Sequence, residues 1–250
     1  MVLDRLISVL EAIALAGRPL TANEVHEITE LPIPTCYRLL AMLKEQQLLE
    51  HADTGNRYVI GERLVRIALL AKTDTDVCKT TAPVLQHATH EFGEAVFLSR
   101  FRDKGVSIIH VETPADPAVS YIHPGLGYRP MHACSCSKAI AAFADDAFQE
   151  YILNGPMKAY TDQTHTTRAD LQAEFAEIQK NGYAECVEEI ETGVSSVAAP
   201  VYLDNAGAVF SVGVIGPIRR FTPDHRRQLG KKLTVLASEV SASIQISGTG

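Results

Sequence analysis

Apolar side chains recur at spacings of three and four over the first sixteen residues: Leu3, Leu6, Ile7, Leu10, Ile13 and Ala14. That period predicts an amphipathic helix over about 3–16, capped by Gly17. Arg18 to Leu20 leaves room for a very short strand. Thr21 followed by Glu24 is a capping box, so a second helix starts near Ala22 with Val25 and Ile28 on its apolar face. Leu31 and Pro32 end it, because a residue before proline is pushed out of the α region. Pro34 suits the first turn of a third helix, whose inner face is Cys36, Leu39, Leu40 and Leu43. So short a connection makes the two helices cross steeply, the pattern of a helix-turn-helix. Short strands at 48–51 and 57–60 flank the turn Asp53-Thr54-Gly55-Asn56, and three helices followed by a hairpin make a winged helix.

Farther along, residues 61–72 read as a helix with Leu64, Ile67, Ala68 and Ala71 on one face and Arg63, Arg66 and Lys72 outside. Val65, Leu69 and Leu70 spread its apolar surface over more than one stripe, which predicts packing against a second chain. Domains are therefore expected at 1–60 and 74–250, with 61–73 as a linker helix that also dimerises, and Thr73-Asp74-Thr75-Asp76 at the boundary. The second domain opens with a helix over about 76–92 whose inner side is Val77, Thr81, Val84, Leu85 and Ala88. Strands are read at 95–100 and 106–112 around Asp103-Lys104-Gly105, with a further one at 119–122. Helices follow at 134–143, from Asp145 or Asp146 to Leu153, and after Thr167 with Leu171, Phe175 and Ile178 inside and Gly182 as cap. Residues 184–189, 195–202 and 208–215 read as strands. Pro223 starts a last helix to about Ile246 that buries Leu229, Leu233, Leu236 and Val240. The whole is an α+β chain whose second part is an antiparallel sheet of five or six strands with helices at its ends.

Composition narrows the class. The 250 residues, 46% apolar and 21% charged, are enough for two cored domains. No run of eighteen apolar residues occurs, and Asp4 and Glu11 interrupt the first segment, so neither a signal peptide nor a membrane span is expected. Cysteines at 36, 78, 134, 136 and 186 suit a reducing cytoplasm. The net charge of −7 argues against a protein that coats nucleic acid. Residues 1–73 hold eight Lys or Arg against nine Asp or Glu, so duplex binding would rest on a local edge of Arg38, Lys44, Arg57, Arg63 and Arg66, doubled by dimerisation.

The third helix leaves Thr35, Tyr37, Arg38 and Lys44 outside. Hydroxyls, a phenol and a guanidinium on one exposed face can enter a major groove, where Arg pairs with guanine or phosphate. Asn56 and Arg57 would carry the hairpin to the backbone or minor groove. An ordinary pair of packed helices with a polar face reads the same way.

In the second domain, Gly125-Leu126-Gly127-Tyr128-Arg129-Pro130-Met131-His132 leads into Ala133-Cys134-Ser135-Cys136-Ser137-Lys138. Two glycines permit a bent loop, Ser135 or Ser137 can cap the next helix, and the free N–H groups there suit a carboxylate; plain capping is the simpler reading. His132, Cys134, Cys136 and Cys186 lack the loop spacing of a structural zinc site. A Cys134 or Cys136 nucleophile with His132 or His110 as base has no orienting third residue, and a thiol redox sensor is a further reading. Glu188, Glu189 and Glu191 are read as a capped turn or solvated loop rather than a catalytic pair.

Taken together, residues 2–246 resemble the IclR family of bacterial transcriptional regulators. LTANEVHEITELPIPTCYRLLAML is similar to the family's helix, turn and recognition helix, with Thr35, Arg38, Leu39 and Leu40 in pattern, and Tyr58 and Gly61 follow the wing. Arg129-Pro130-Met131-His132-Ala133, Lys138-Ala139, Gly182-Tyr183-Ala184, Glu188-Glu189, Gly193, Ala198-Ala199-Pro200-Val201 and Gly216-Pro217 are similar to its GAF-like effector domain. The resemblance implies a cytoplasmic, non-enzymatic homodimer, or tetramer, without cofactor or metal, that binds double-stranded operator DNA and a small organic acid. A repressor of a catabolic operon for an aromatic or other acid is implied, with an activator as the alternative. Carried over by position, the pocket comprises Leu126, Ala133, Cys134, Ser135, Cys186, Ser196, Gly213 and Ile215. Where regulators of glyoxylate metabolism often carry a carboxylate-binding serine pair, this chain has Gly213 and Ile215, which points to a larger, partly apolar acid. Cys134, Ser135, Cys136, Ser137 and Cys186 depart from the family's usual residues, which leaves room for a changed ligand or a redox response.

Overall fold

The computed structural model describes residues 2–52, 56–102, 105–116, 122–204 and 206–246. Backbone contacts divide the chain into two compact units, Met1–Lys72 and Thr73–Gly250. Among the described residues no helix is long and apolar enough to cross a membrane.

The first unit runs α1 (Val2–Ala16), β1 (Leu20–Thr21), α2 (Ala22–Thr29), α3 (Ile33–Glu45), β2 (Leu49–His51), β3 (Arg57–Ile60) and α4 (Glu62–Ala71). The capping box forms as read: Thr21 Oγ1 accepts from the Glu24 amide at 3.3 Å and Glu24 Oε2 accepts from the Thr21 amide at 2.7 Å. The core joins Val9, Ile13, Leu20, Val25, Cys36, Leu39, Leu40, Leu43, Leu49 and Tyr58. The antiparallel sheet has the order β1-β3-β2 and closes the winged helix. The turn residues Asp53, Thr54 and Gly55 lie outside the described residues. α1 departs from its expected stripe. Its buried residues are Val9, Ala12 and Ile13, while Leu3 and Ile7 are exposed, because a helix with apolar residues nearly all round is oriented by what it packs on. Ile28 is likewise exposed; in α2 only Ala22 and Val25 are buried.

The second unit runs α5 (Asp74–Phe92), β4 (Ala95–Arg102), β5 (Gly105–Glu112), β6 (Gly127–Arg129), α6 (Ser135–Ala141), α7 (Asp146–Leu153), α8 (Arg168–Asn181), β7 (Ala184–Val187), β8 (Val194–Leu203), β9 (Gly207–Pro217) and α9 (Pro223–Ile246). Its six strands form one antiparallel sheet in the order β6-β5-β4-β9-β8-β7. Strands β4, β8 and β9 are buried on both faces. One face packs on α6, with Phe97, Ile108 and Ala198 of the sheet against Ala139 and Ile140 and, beyond them, Leu171 and Phe175 of α8. Helices α5 and α9 pack on each other and on the sheet, and α9 buries Leu229, Leu233 and Val240.

Several boundaries move for physical reasons. Thr73 caps α5, its Oγ1 accepting from the Asp76 amide, so the helix starts at Asp74 inside the expected boundary segment. β7 stops at Val187 because Glu188 adopts a left-handed conformation, φ 58°. β6 was not expected: its three residues carry no alternating apolar signal and owe their strand to pairing with Val106–Ile108. Most of the strand expected at 119–122 lies outside the described residues, as do Asp103 and Lys104 of the expected turn.

Candidate functional sites: an exposed helix face and a cavity under the sheet

At the helix-turn-helix, Glu30 ends α2 in the left-handed region, φ 57°, and the Leu31 carbonyl accepts from His26 Nδ1 at 2.6 Å and from Cys36 Sγ at 3.4 Å. These bonds fix the angle at which α3 leaves the turn. Burial of Cys36, Leu39, Leu40 and Leu43 then turns Tyr37, Arg38, Met42 and Lys44 outward, with Thr35 half-buried at the start of the same face. Among the described residues no carboxylate pairs with Arg38 or Lys44, so both cations are available to an anion. Asn56 is exposed. Arg57 is placed differently from the expected wing contact. Pairing of Thr21 with Arg57 across β1 and β3 brings its guanidinium to the start of α2, where it donates to the Pro19 carbonyl at 3.0 Å and to Glu24 Oε2 at 3.4 Å. The Thr21 amide above all, together with Arg18, holds the Glu24 carboxyl down at about 2, so it stays ionised opposite both arginines. This role depends on strand register, which the local sequence does not reveal.

The second site is a cavity of about 160 Å3 between the α6 end of the sheet and the loop before β6. Phe97, Ile108, Ile190, Val194 and Ile215 supply apolar wall, Cys134, Cys186, Ser195 and Ser196 a polar strip, and Arg129 the cation. Four of the expected pocket residues meet there: Cys134, Cys186, Ser196 and Ile215. Ser135 stands behind them, its Oγ 2.7 Å from Ser196 Oγ. It does not cap α6; the N-cap is Cys134, which makes no side-chain cap bond. Leu126 is exposed, Ala133 is buried, and neither lines the cavity. Nor does Gly213. A Cβ there would lie 2.3 Å from Phe97 Cζ and 2.7 Å from the Val197 carbonyl oxygen, so the Phe97 ring fills the space a side chain at 213 would take.

Arg129 is the pocket residue that position-by-position transfer missed, although it stood in the quoted motif. Its guanidinium donates to the carbonyls of Pro124, Gly125 (2.6 Å) and Tyr128 (3.3 Å), and among the described residues no carboxylate pairs with it. Glu191, the acidic residue on the lining, is exposed. A guanidinium held by carbonyls beside a mostly apolar wall favours an anion with an apolar body. The signal lay in the pattern: a basic residue next to a proline that bends the chain inward.

Behind this wall Lys138 of α6 is fully buried and donates to Glu174 Oε1 at 2.5 Å and to both Glu189 oxygens at 2.7 and 2.9 Å. Glu189 is thus no solvated loop residue. The left-handed turn at Glu188 points it inward, and the adjacent Ile190 and Glu191 line the cavity. Burial opposes the charge on Lys138, yet the pull of Glu189 and Glu174 outweighs it and holds the amine above its ordinary value. Burial pushes the Glu189 carboxyl up despite the lysine. The two carboxylates thus keep the Lys138 ammonium charged, while Glu189 takes a proton more readily than a free carboxylate. His165, Glu174 and Glu189 lie close enough to hold a metal ion, but the Lys138 ammonium is bonded to both carboxylates and supplies the cation itself. His132 Nε2–H donates to the Lys158 carbonyl at 2.9 Å and the ring stacks on Tyr160; among the described residues it bonds to no thiol, so the structure does not pair it with Cys134 as a base.

The comparisons agree with this two-part layout. The sequence model of the IclR helix-turn-helix domain matches residues 2–53, and that of the bacterial transcriptional regulator IclR C-terminal domain matches residues 70–242. The glycerol operon regulatory protein of Streptomyces griseus is 29% identical over 225 residues, 89% of this chain and 87% of its own length. The crystal structure of Thermotoga maritima IclR has a TM-score of 0.62 at 22% identity, covering 97% of this chain and 98% of that one. An IclR homologue from Microbacterium hydrocarbonoxydans, solved in complex with 4-hydroxybenzoate, has a TM-score of 0.61 at 20% identity and covers 98% and 100% of the two chains. Both structures share the fold, and with the C-terminal model spanning well over half of the residues, this chain belongs to the IclR family of bacterial transcriptional regulators.

Proposed function

We propose that the protein is a cytoplasmic, homo-oligomeric repressor of a catabolic operon, released from or retained on its operator by a carboxylic acid with an apolar body, and that it is not an enzyme. The observation that carries this reading is Arg129: a guanidinium without a carboxylate partner among the described residues, lining a cavity otherwise walled by Phe97, Ile108 and Ile215. At about 160 Å3 the cavity is close to the roughly 150 Å3 void known to admit benzene, so a monocyclic aromatic acid is the favoured class. The 4-hydroxybenzoate held by the Microbacterium homologue is of that class. A thermal-shift screen of aromatic and aliphatic acids tests it. A true effector at a hundredfold its Kd adds about 2.7 kcal/mol. Arg129→Met is expected to weaken that binding by about tenfold to a hundredfold, since a hydrogen bond to a charged group contributes about 1.5–3 kcal/mol. Equal binding by the variant would show that the carboxylate lies elsewhere.

The DNA-reading surface is assigned to Tyr37, Arg38 and Lys44 with Thr35 at its edge, Asn56 at the wing, and Arg57 as a support that contacts the backbone only with what its bonds to Pro19 and Glu24 leave open. Exposed apolar side chains support a dimer: Val2, Leu3 and Ile7 on α1, and Ile67 and Leu70 on α4. Binding to the DNA upstream of the protein's own gene, followed by fluorescence anisotropy over a salt series, checks the assignment. Arg38→Ala should cost about 1–3 kcal/mol per protomer if it reads a base, and lower the salt slope by about one if it meets phosphate. An unchanged affinity and slope would remove α3 from the interface.

A further inference from the structure

Cys134 and Cys136 lie at the first turn of α6 with their sulfurs 3.3 Å apart, and they differ in access: Cys134 lines the cavity, whereas Cys136 is wholly buried behind it. We propose that this pair is a modification site, a dithiol that a small organic hydroperoxide entering the cavity oxidises to a Cys134–Cys136 disulfide. The inference goes beyond the effector reading and holds whatever acid the cavity binds.

Three features support it. The first is contact: reaching a disulfide bond of about 2 Å requires the sulfurs to close by roughly 1.3 Å, a side-chain adjustment. The second is the division of labour. The accessible sulfur shares the cavity with the apolar walls Phe97 and Ile108, which suits an organic peroxide, and its partner is fully buried. The third is the proton. Burial pushes the Cys136 thiol up, but hydrogen bonds with Cys134, Ser137 and Ser99 outweigh it and leave Cys136 below the ordinary thiol range. Cys134, whose hydrogen bond to Cys136 and burial act together, is pushed well above it. The hydrogen bond therefore runs from the Cys134 thiol to Cys136, which is the more readily ionised of the two sulfurs.

The steps balance. Cys136 gives its proton to solvent, its thiolate takes the proton of the Cys134 thiol, and the Cys134 sulfur attacks the distal oxygen of the hydroperoxide. An S–O bond forms as the O–O bond breaks, and the alkoxide leaves as alcohol after taking a proton; the Arg129 guanidinium on the same cavity favours both anions. Cys136, whose proton the alkoxide has taken, attacks the sulfur of the Cys134 sulfenic acid, the S–S bond forms, and hydroxide leaves as water with the proton returned from solvent. Two thiols and one hydroperoxide give one disulfide, one alcohol and one water: the sulfurs lose two electrons and the peroxide gains them.

The test uses the full chain and cumene hydroperoxide, with thiols counted by alkylation in denaturant and the products mapped by peptide mass. The expected result is loss of two of the five alkylatable thiols, with the segment between Arg129 and Lys138 lighter by two hydrogen atoms. In Cys136→Ser the Cys134 sulfenic acid should persist and be trapped by dimedone, while Cys134→Ser should leave Cys136 reduced. Five thiols surviving in the wild-type chain would overturn the proposal. So would a disulfide that recruits Cys186, which lines the same cavity and whose thiol burial pushes up to about 12. The wild-type count needs no variant to fold, and circular dichroism of both serine variants separates lost chemistry from lost structure.

Discussion

Lys138→Met should lower the stability of the second unit by about 3–5 kcal/mol at neutral pH, the usual loss when one partner of a buried ion pair is removed. The reason lies in what remains. Glu189 is 5% exposed and Glu174 only partly open, and without the ammonium the two carboxylates face each other in low dielectric. The pH dependence carries the sign. Burial already raises the Glu189 carboxyl above 4.5, and loss of the lysine raises it further. A carboxyl raised in the folded state penalises folding above that value and ceases to do so once protonated. The deficit should therefore shrink as the pH falls below the folded-state value toward 4.5, and the wild-type chain, whose Glu189 carboxyl is raised less, should recover less. Urea melts of both proteins across the acid range measure it. Pairing the substitution with Glu189→Leu should recover part of the loss, because an apolar replacement of both partners leaves no uncompensated charge. A constant, pH-independent deficit would mean that Lys138 acts through packing alone. Since Ile190 and Glu191 follow Glu189 on the cavity wall, the same variant is also expected to weaken effector binding.

Gly213→Ser is the second large effect, and it acts on the cavity directly. The added Cβ meets the Phe97 ring at 2.3 Å and the Val197 carbonyl at 2.7 Å. Val197 is backbone in the middle of a sheet buried on both faces, so the ring has to give way, and it gives way into the cavity that it lines. Overpacking of this kind costs about 1–3 kcal/mol, and the space for a ligand body goes with it. The expected result is a lower melting temperature together with loss of the thermal shift from any aromatic acid that stabilises the wild-type chain. Phe97→Leu in the same chain should restore part of both. If Gly213→Ser bound the same acid equally well, Phe97 would not be the residue that excludes a side chain at 213. Binding of a small polar acid such as glyoxylate by the double variant, and not by the wild-type chain, would show that this exchange of glycine and ring sets ligand class.

Reading from residues alone went furthest where the cause is local. The Thr21–Glu24 box, the proline-bounded turn, the inner face of α3 and the span of α9 all follow from bonds and spacings within a few residues, and the structure has them in place. The resemblance to a family rested on motifs in order over nearly the whole chain, and it carried the α+β architecture with it. Local reasoning stopped where a side chain's role is set by a distant strand or helix. Arg57 reads as a free wing cation until its register opposite Thr21 hands it to Glu24. Glu189 reads as one more acid in an acidic loop until a left-handed residue before it turns it onto Lys138, fifty-one positions away. Gly213 reads as a lost polar contact until Phe97, its register partner on the neighbouring strand, is seen in its space.

By itself, then, the sequence determined most of the elements, the Thr21 cap and the family, because helix ends, turns and apolar periods are largely decided by neighbours along the chain. Tertiary structure alone decided that α1 buries Val9 and not Leu3, that Arg129 faces a cavity, and that Cys134 and Cys136 touch while only one of them sees that cavity. Those outcomes depend on which surfaces compete for burial and on strand register, and both are properties of the packed sheet rather than of any segment within it.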